Sequence, residues 1–304
     1  MPHLGYRTRF APSPTGAMHL GHLRTHLVAW LRARSLGGRI VMRVEDLDPP
    51  RVKEGAEEDF LRDHAWLGLD WDEGPYHQSA RSVLYERAIE RLVALGHVYP
   101  CTCSRKEIEA IASAPHGEEG PIYPGTCRGG PSHPGRPAAM RFRMPEPPPA
   151  WTDPLAGPVP EGAGRGDFVV RRADGLFAYQ LAVVVDDAAM GVTEVVRGSD
   201  LLASTPRQLA LFAALAETPP TYVHLPLVRG PDGERLAKRH GAKGIGEYRA
   251  LGFTAERLLG AVACSLGLLD RPEPVRASEL VPGFSLERIR TSAEGDAALL
   301  ALDA

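Results

Sequence analysis

The segment that decides the fold reads RFAPSPTGAMHLGH and occupies residues 9–22. A predicted strand over 6–11 leads into a turn rich in proline and glycine, and a helix is predicted to begin at His19. His19 and His22 are three residues apart, which places both imidazoles on one face near the positive end of the helix dipole. Gly21 lies between them and lets a flat ligand approach the backbone closely. The segment therefore predicts a site for an anionic nucleotide, where backbone N–H groups and imidazoles neutralise phosphate charge.

Strand and helix patterns alternate along 5–100 and again along 167–245. Short connections between such elements are typical of an α/β fold with a parallel sheet. We therefore predict that both stretches form one nucleotide-binding catalytic domain with a Rossmann-like parallel sheet. The predicted strands of this domain also include 40–44, 192–197 and 222–228, and its predicted helices cover 19–36, 54–67, 82–95 and 204–216.

Two further stretches complete the predicted organisation. Residues 168–172 and 177–185, joined by the turn 173–175, predict a β-hairpin. The run 182–185 is apolar throughout, as in a strand covered on both faces. The stretch 101–166 is rich in proline and glycine and predicts an irregular insertion with one strand near 140–144. A C-terminal helical region is predicted over 246–304, with helices at 255–266 and from 286 onward.

The composition is that of an ordinary globular protein. The 304 residues are 43% apolar and 24% charged, which allows a large core and excludes a disordered chain, a coiled coil and a small disulfide scaffold. The formal net charge of −3 predicts no general affinity for polyanions, so a nucleic-acid partner must meet a face lined with arginine. No apolar run is long enough for a membrane span and the N-terminus has no apolar signal core, so we expect a cytoplasmic protein that binds no membrane.

Charged side chains follow the predicted strands. Glu45 comes directly after the strand over 40–44, and carboxylates at the carboxyl end of a parallel strand point into the usual ligand crevice. Glu45 can take up a substrate ammonium group there; the alternative is a solvated acidic turn. Tyr179 opens the second strand of the predicted hairpin and Arg197 closes the next strand, so that a phenol and a guanidinium fork can hold a carboxylate. The alternative for Arg197 is an ion-paired strand end.

A basic loop with the sequence RLAKRH occupies 235–240 and follows a turn over 230–233. A mobile basic loop can close on a triphosphate and stabilise the charge that develops during transfer at the α-phosphate, with Lys238 as its main cation. The alternative is an ordinary basic surface loop.

Three cysteines lie in or beside the irregular insertion, which a bound metal ion could stabilise. Cys101, Cys103 and Cys127 supply three thiolates next to the proline- and glycine-rich insertion, and a fourth donor would complete the tetrahedral coordination that structural zinc prefers. The alternative is a set of reduced structural thiols. The candidates for the fourth ligand are Tyr123, His116 and His133.

These motifs together resemble the class I aminoacyl-tRNA synthetases. The stretch 9–22 resembles their extended HIGH motif, Val44-Glu45-Asp46 resembles the glutamyl branch, and 235–239 resembles the KMSKS loop. The resemblance covers about 6–245 and implies the parallel sheet of the class I (HUP) fold. A compact glutamyl catalytic domain with a Cys-x-Cys and Tyr-x3-Cys zinc site is similar to the glutamyl-queuosine tRNA(Asp) synthetases, which implies that no anticodon-binding domain follows.

The resemblance implies an activity and a set of site residues. Such enzymes use ATP with Mg²⁺ to convert L-glutamate into glutamyl-adenylate without tRNA, and they transfer glutamate to the queuosine base at the wobble position of tRNA(Asp). One structural zinc ion per chain is implied, and we expect a monomer. The implied catalytic residues are His19, His22 and Lys238, and these three bind ATP together with Gly21. The implied glutamate-binding residues are Arg9, Ser13, Glu45, Tyr179 and Arg197. The implied zinc ligands are Cys101, Cys103, Tyr123 and Cys127.

The basic loop departs from the KMSKS pattern at Arg235 and Ala237, where Lys and Ser are usual. An alanine removes a hydroxyl donor and leaves the charge of Lys238, so we expect weaker loop control with retained activity. Two alternatives remain for the whole chain: a truncated glutamyl-tRNA synthetase that charges tRNA(Glu), and a non-catalytic zinc- or RNA-binding regulator.

Overall fold

The computed structural model describes residues 5–111, 122–230, 232, 234, 236, 243–291 and 296–302. In these ranges the strands are β1 (Arg7–Phe10), β2 (Arg39–Val44), β3 (Glu73–His77), β4 (Val98–Cys101), β5 (Ala139–Phe142), β6 (Thr152–Asp153), β7 (Gly157–Pro158), β8 (Phe168–Arg171), β9 (Glu194–Gly198) and β10 (Thr221–Leu225). The α-helices are α1 (Leu20–Ser35), α2 (Ala56–Leu67), α3 (Ser82–Ala94), α4 (Arg105–Ile111), α5 (Tyr179–Ala189), α6 (Thr205–Ala214), α7 (Ile245–Ala250), α8 (Ala255–Ser265) and α9 (Ala297–Leu300). None of the helices in these ranges has the length and apolar character needed to cross a bilayer.

A parallel sheet forms the centre of the molecule. β1 pairs with β2 and β2 pairs with β3, both in parallel, and β9 and β10 form a second parallel pair. The two groups adjoin at β1 and β9, where the Thr193 N–H donates to the Arg7 carbonyl at 2.8 Å. Further along, the Arg9 side chain reaches the Val196 carbonyl, so β1 and β9 run in the same direction. The predicted parallel sheet is confirmed, and the carboxyl ends of its strands lie at one edge.

Helix α1 connects β1 to β2 and packs on the sheet. Its N-terminus is capped by His19, whose Nδ1 accepts from the backbone N–H groups of Gly21 and His22. Its apolar stripe is fully buried and packs on β1, β2 and α8. The predicted helices of the catalytic stretches are confirmed as α1, α2, α3 and α6, and the one at 255–266 is confirmed as α8.

The predicted hairpin over 168–172 and 177–185 is wrong in its second half. β8 forms as expected, but Phe177 makes only an isolated bridge to Arg171, and the chain then enters helix α5. This helix packs on α3, α6 and β8, so its valines are buried on almost every side. An apolar run of this length does not distinguish a strand covered on both faces from a buried helix.

Helix α5 gives Tyr179 a different position from the predicted one. Tyr179 lies in the first turn of α5 and not at the start of a strand. Asp186 and Asp187 follow seven and eight residues later, which is two helical turns, so all three share one face of the helix. That face points toward the carboxyl ends of β1 and β2, because Asp187 contacts Arg9 and Arg43.

A second sheet joins the insertion to the catalytic stretches on either side of it. β4, β5 and β8 form an antiparallel sheet in that order, and β6 and β7 form a small separate hairpin. The strand predicted near 140–144 is confirmed as β5. Phe142 and Phe168 of this sheet share a hydrophobic core with α3, α5 and α6, which joins the insertion to the catalytic part of the molecule.

The helix predicted from residue 286 onward is wrong. Leu286–Arg288 forms a single 3₁₀ turn, Ile289 is extended and buried, and the short helix α9 begins only at Ala297. The backbone N–H of Arg290 donates to the Leu266 carbonyl at the end of α8. Ile289 and Arg290 therefore lie as an extended chain against the end of α8, which the helical periodicity did not reveal.

A buried ion pair ties the C-terminal segment to the catalytic part. The guanidinium of Arg24, on α1, donates through Nη1 to Asp296 Oδ1 at 2.9 Å, and both side chains are almost fully buried. The second oxygen of Asp296 accepts from the backbone N–H of Arg229, just before the basic loop. Asp296 thus links α1, the approach to the basic loop and α9.

Replacing Asp296 with alanine should destabilise the fold strongly. The change leaves the Arg24 cation buried without its partner, which typically costs about 3 kcal/mol or more. Urea unfolding of Asp296→Ala, extrapolated to water, measures the loss in the free energy of unfolding. The matched control is Asp270→Ala, because Asp270 is exposed; it should stay within about 0.5 kcal/mol of the native chain. Equal stability of the two variants would contradict the structural role of the pair.

Candidate active site and cysteine cluster

A cavity of about 730 Å³ lies at the carboxyl ends of the central strands. Its walls come from the segment 9–22, the end of β2, the first turn of α5 and the ends of β9 and β10. Lys238, Arg235 and Ala237 lie outside the described residues. The predicted site residues that line the cavity are Arg9, Ser13, His19, Gly21, His22, Glu45, Tyr179 and Arg197.

The two histidines of the opening segment form one stacked unit. Their ring centroids are 3.7 Å apart with planes inclined by 20°. The Nδ1 atom of His19 accepts from the Gly21 N–H at 3.1 Å, and the Nδ1 atom of His22 accepts from the His19 N–H at 3.4 Å. A neutral imidazole whose Nδ1 accepts carries its proton on Nε2. Both rings are therefore arranged as Nε2–H donors in the cavity wall, as the sequence predicted for a phosphate site.

A second pair of histidines lies behind them, and sequence reasoning missed it. His64 Nδ1 donates to the Phe60 carbonyl at 2.8 Å, so its Nε2 accepts from His26 Nδ1, also at 2.8 Å. Burial lowers the pKa of His64 to about 4 and lowers that of His26 well below its usual range. Both rings are thus neutral at pH 7. The spacing of His26, four residues after His22 on α1, was the available signal.

Arg43 is the centre of a buried charge cluster made of Arg9, Arg43, Glu45 and Asp187. It donates to Asp187 Oδ1 at 2.6 Å and to Glu45 Oε1 at 3.0 Å, and its side chain has no exposed surface. Arg9 Nε lies 3.7 Å from the same Asp187 oxygen. Burial raises the pKa of Glu45, while Arg43 and Arg9 favour its ionised form. Glu45 is therefore held in the cavity wall by its ion pair with Arg43, and it does not lie in a solvated acidic turn.

Arg197 is buried but makes no ion pair within the described ranges. Its Nε donates to His224 Nε2 at 2.9 Å, Nη1 donates to Gln208 Oε1 at 2.8 Å, and Nη2 donates to Thr205 Oγ1 and the Leu201 carbonyl. All four acceptors are neutral. The alternative of an ion-paired strand end is wrong, because a positive charge without a carboxylate in direct contact remains in the wall of the cavity.

Sequence reasoning did not single out several of these positions. Arg43 lies in the predicted strand over 40–44 and Asp187 follows the predicted strand over 177–185, but neither was assigned a role. His224 had a weak signal, since it is a polar residue within the otherwise apolar run 222–225. Asp153, which contacts His224, lies in the proline-rich insertion and had no signal at all.

The three cysteines come together as predicted. The Sγ atoms of Cys101, Cys103 and Cys127 all lie within 4.8 Å of one another, and those of Cys103 and Cys127 are 3.6 Å apart. A tetrahedral zinc ion with Zn–S bonds of about 2.3 Å separates its sulfur ligands by about 3.8 Å, so the three thiols fit such an ion. We name these three residues the cysteine cluster.

Two hydroxyl groups adjoin the cysteine cluster. The Tyr123 hydroxyl lies 3.3 Å from Cys101 Sγ and 3.5 Å from Cys103 Sγ. Ser132 Oγ lies 3.4 Å from Cys103 Sγ and 3.3 Å from Cys127 Sγ. His133 Nε2 lies 3.2 Å from Glu107 Oε1, and His116 lies outside the described residues. The hydroxyl of Ser132 is a neighbour that sequence reasoning missed.

The cluster also favours an ionised thiol. Burial opposes ionisation of Cys127, but hydrogen bonds from the hydroxyl and backbone N–H of Ser132 outweigh it and lower the pKa of the thiol to about 5. Arg141 donates to Cys101 Sγ at 3.2 Å and adds a positive charge to the same cluster. Thiolates are the form in which cysteine binds zinc.

The sequence matches a known protein family and several named relatives. A family model described as "tRNA synthetases class I (E and Q), catalytic domain" matches residues 6–282. The Glutamyl-Q tRNA(Asp) synthetase of Symbiobacterium thermophilum is 54% identical over 300 residues, covering 92% of this chain and 93% of that protein. The protein of the same name from Deinococcus radiodurans is 52% identical over 286 residues, covering 90% of this chain and 94% of that protein.

A solved structure shares the fold. The glutamate tRNA ligase of Elizabethkingia meningosepticum, crystallised in complex with its amino acid, superposes with a TM-score of 0.81 at 28% identity. The superposition covers 96% of this chain and 68% of that one. The family match includes every predicted residue of the cavity wall and of the cysteine cluster. The chain therefore belongs to the class I tRNA synthetases of the E and Q group.

Proposed function

We propose that this chain activates L-glutamate with ATP to form glutamyl-adenylate without tRNA, and then transfers glutamate to the queuosine base at the wobble position of tRNA(Asp). The names of the two relatives described above support this acceptor, since each relative is matched over more than nine-tenths of its length. The distribution of charge in the cavity supports glutamate as the amino acid.

One observation carries the choice of amino acid: in the part of the chain that the structure describes, no carboxylate contacts Arg197 directly, so its positive charge remains in the cavity wall. A substrate carboxylate supplies the missing negative charge, and Tyr179 in the same wall offers a hydroxyl beside it. Glu45 takes up the substrate ammonium group, while Ser13 and Arg9 line the remaining wall. An amino acid with a second carboxylate fits this arrangement of charges.

The chemistry is a transfer at the α-phosphate of ATP. A glutamate carboxylate oxygen attacks the α-phosphorus, the bond from that phosphorus to the bridging oxygen breaks, and pyrophosphate leaves with the electron pair. His19 and His22 donate through Nε2–H to the phosphate oxygens as their charge increases, and Lys238 adds a positive charge. Mg²⁺ bound to ATP neutralises part of the triphosphate charge. A hydroxyl oxygen of the queuosine base then attacks the glutamyl carbonyl and loses its proton to solvent. The bond from that carbonyl carbon to the phosphate oxygen breaks, and AMP leaves.

The stacked histidines give a direct test of this chemistry. We expect glutamate-dependent ATP–pyrophosphate exchange without tRNA, and a loss of about a hundredfold or more in His22→Ala, because a donor to the developing phosphate charge is removed. The exchange rate at saturating glutamate measures the effect. His97→Ala is the control, since His97 stacks on Phe142 in the insertion and should leave exchange unchanged. No exchange by the native chain would contradict the proposed activation, and unchanged exchange by His22→Ala would contradict the role of His22.

We also propose that the cysteine cluster holds one structural Zn²⁺ ion, with Tyr123 as the fourth ligand. The spacing of the three sulfur atoms and the position of the phenol support this coordination. The ion would fix the loops that precede β5 and would take no part in adenylate formation, because the cysteine cluster is not part of the cavity wall.

Metal analysis of the purified protein tests the zinc site. The native chain should hold one zinc ion, Cys127→Ala should lose it, and Tyr123→Phe should keep it more weakly, because three thiolates remain. Competition with a chelator measures the affinity. Cys264→Ala is the matched control, since Cys264 is a free thiol on α8, away from the cysteine cluster. Full zinc content in Cys127→Ala would contradict the site, and unchanged affinity in Tyr123→Phe would exclude Tyr123 as a ligand.

The four cysteines are free thiols, which suits a reducing compartment. We place the activity in the cytoplasm on this basis, and we propose that the chain acts as a monomer.

A further inference from the structure

The hairpin of β6 and β7 lies against the glutamate-binding side of the cavity. Asp153, at the end of β6, is fully buried and contacts His224 on β10. Trp151, just before β6, packs edge-on against Tyr222 and His224. The hairpin belongs to the proline- and glycine-rich insertion, yet its one buried carboxylate lies next to a strand of the catalytic sheet.

Asp153 is surrounded by donors. Its Oδ1 accepts from the backbone N–H groups of Leu155 and Ala156, both at 2.8 Å. Its Oδ2 accepts from the backbone N–H of His224 at 2.9 Å and from the imidazole Nδ1 of the same residue at 2.7 Å. The hairpin turn and β10 therefore share one carboxylate, and this carboxylate requires a proton on Nδ1 of His224.

The position of that proton decides what His224 offers to Arg197. Burial disfavours the imidazolium and lowers the pKa of His224, so the ring is neutral at pH 7. With its proton on Nδ1, the ring has a lone pair on Nε2, and this atom accepts from Arg197 Nε at 2.9 Å. The opposite tautomer would direct an N–H group at the N–H of the guanidinium.

We propose that Asp153 and His224 are positioning residues that orient Arg197 for the carboxylate of glutamate. This inference rests on the proposed function. Asp153 fixes the tautomer of His224, and His224 in turn fixes the plane of the guanidinium. Because a neutral imidazole separates the two charges, Arg197 is oriented without forming a direct ion pair and keeps its charge for the substrate.

The number of donors on Arg197 agrees with this role. A guanidinium has five N–H groups, and four of those on Arg197 are used by His224, Gln208, Thr205 and Leu201. The one that remains is on Nη1, in a side chain that lines the cavity. Rotation of the guanidinium after loss of the His224 acceptor would move this last donor away from the substrate.

Asparagine cannot replace Asp153 without loss. An amide has one oxygen, whereas the four N–H groups around Asp153 need two acceptor atoms. If the amide nitrogen faces Leu155 and Ala156, two backbone donors lose their acceptor. If the amide nitrogen faces His224, it donates to Nδ1 of the imidazole. The imidazole proton must then lie on Nε2, where it points at the Nε–H of Arg197.

The test compares Asp153→Asn with the native chain by steady-state ATP–pyrophosphate exchange. We expect the KM for glutamate to rise about tenfold or more, while the KM for ATP stays within about twofold and kcat changes little. Asp167→Asn is the matched control, because Asp167, directly after the insertion, is also a buried carboxylate that accepts a backbone N–H, from Met144. It has no contact with His224 or Arg197 and should leave both KM values unchanged.

Substitutions of His224 separate positioning from mere stability. His224→Phe keeps a ring and removes the acceptor, and it should raise the KM for glutamate at least as much as Asp153→Asn. In His224→Gln the side-chain oxygen reaches the place of Nε2 and accepts from Arg197, so the KM should recover to within about threefold of the native value. In a His224→Phe background, Asp153→Asn should add no further increase, because both residues act on Arg197 through one contact.

The outcomes distinguish this inference from the proposed function. A native chain that shows no glutamate-dependent exchange would overturn the proposed function itself. A native chain that exchanges normally, with an unchanged glutamate KM in Asp153→Asn, would overturn the positioning role alone. A parallel rise of the KM for glutamate and for ATP would also overturn it, because general destabilisation would account for both.

Discussion

The ion pairs of the buried Arg43 guanidinium hold the carboxyl ends of the central strands together. The guanidinium has no exposed surface, and it is stabilised by Asp187 from α5 and by Glu45 at the end of its own strand, β2. Asp187 also lies 3.7 Å from Arg9 Nε on β1. Leaving such a buried charge without partners costs several kcal/mol, so β1, β2 and α5 have one favourable arrangement. The cavity wall is thereby fixed before any substrate binds, as electrostatic catalysis requires.

The charges of the cavity are divided into two sets by this arrangement. Glu45 and Asp187 both contact Arg43, whereas Arg197 contacts only neutral acceptors among the described residues. A direct ion pair would have fixed Arg197 equally well, but it would have removed the charge that an acidic substrate needs. The neutral imidazole of His224 resolves this conflict, since it holds the guanidinium in one orientation and leaves its charge in place. The proposed selectivity for an acidic amino acid rests on this separation.

Much of the site was predictable from the sequence because its residues follow strands or open helices. The segment 9–22 and Glu45 lie where the parallel sheet places its ligand crevice, and the structure brings both into the cavity. The second half of the hairpin was wrong because a buried helix and a buried strand have the same apolar run, although the spacing of Tyr179 and Asp186–Asp187 fits two helical turns. The contact of Asp153 with His224 joins residues that are 71 positions apart, and neither residue stands in a motif. Such contacts depend on the packing of the insertion, which has no periodic pattern.

The most direct test of the whole account is transfer of labelled glutamate to purified tRNA(Asp) in the presence of ATP. The comparison uses tRNA(Asp) with queuosine, tRNA(Asp) without queuosine and tRNA(Glu), each under the same conditions. We predict that label appears only on the tRNA(Asp) that contains queuosine. Label on tRNA(Glu), or on both forms of tRNA(Asp), would contradict the proposed acceptor.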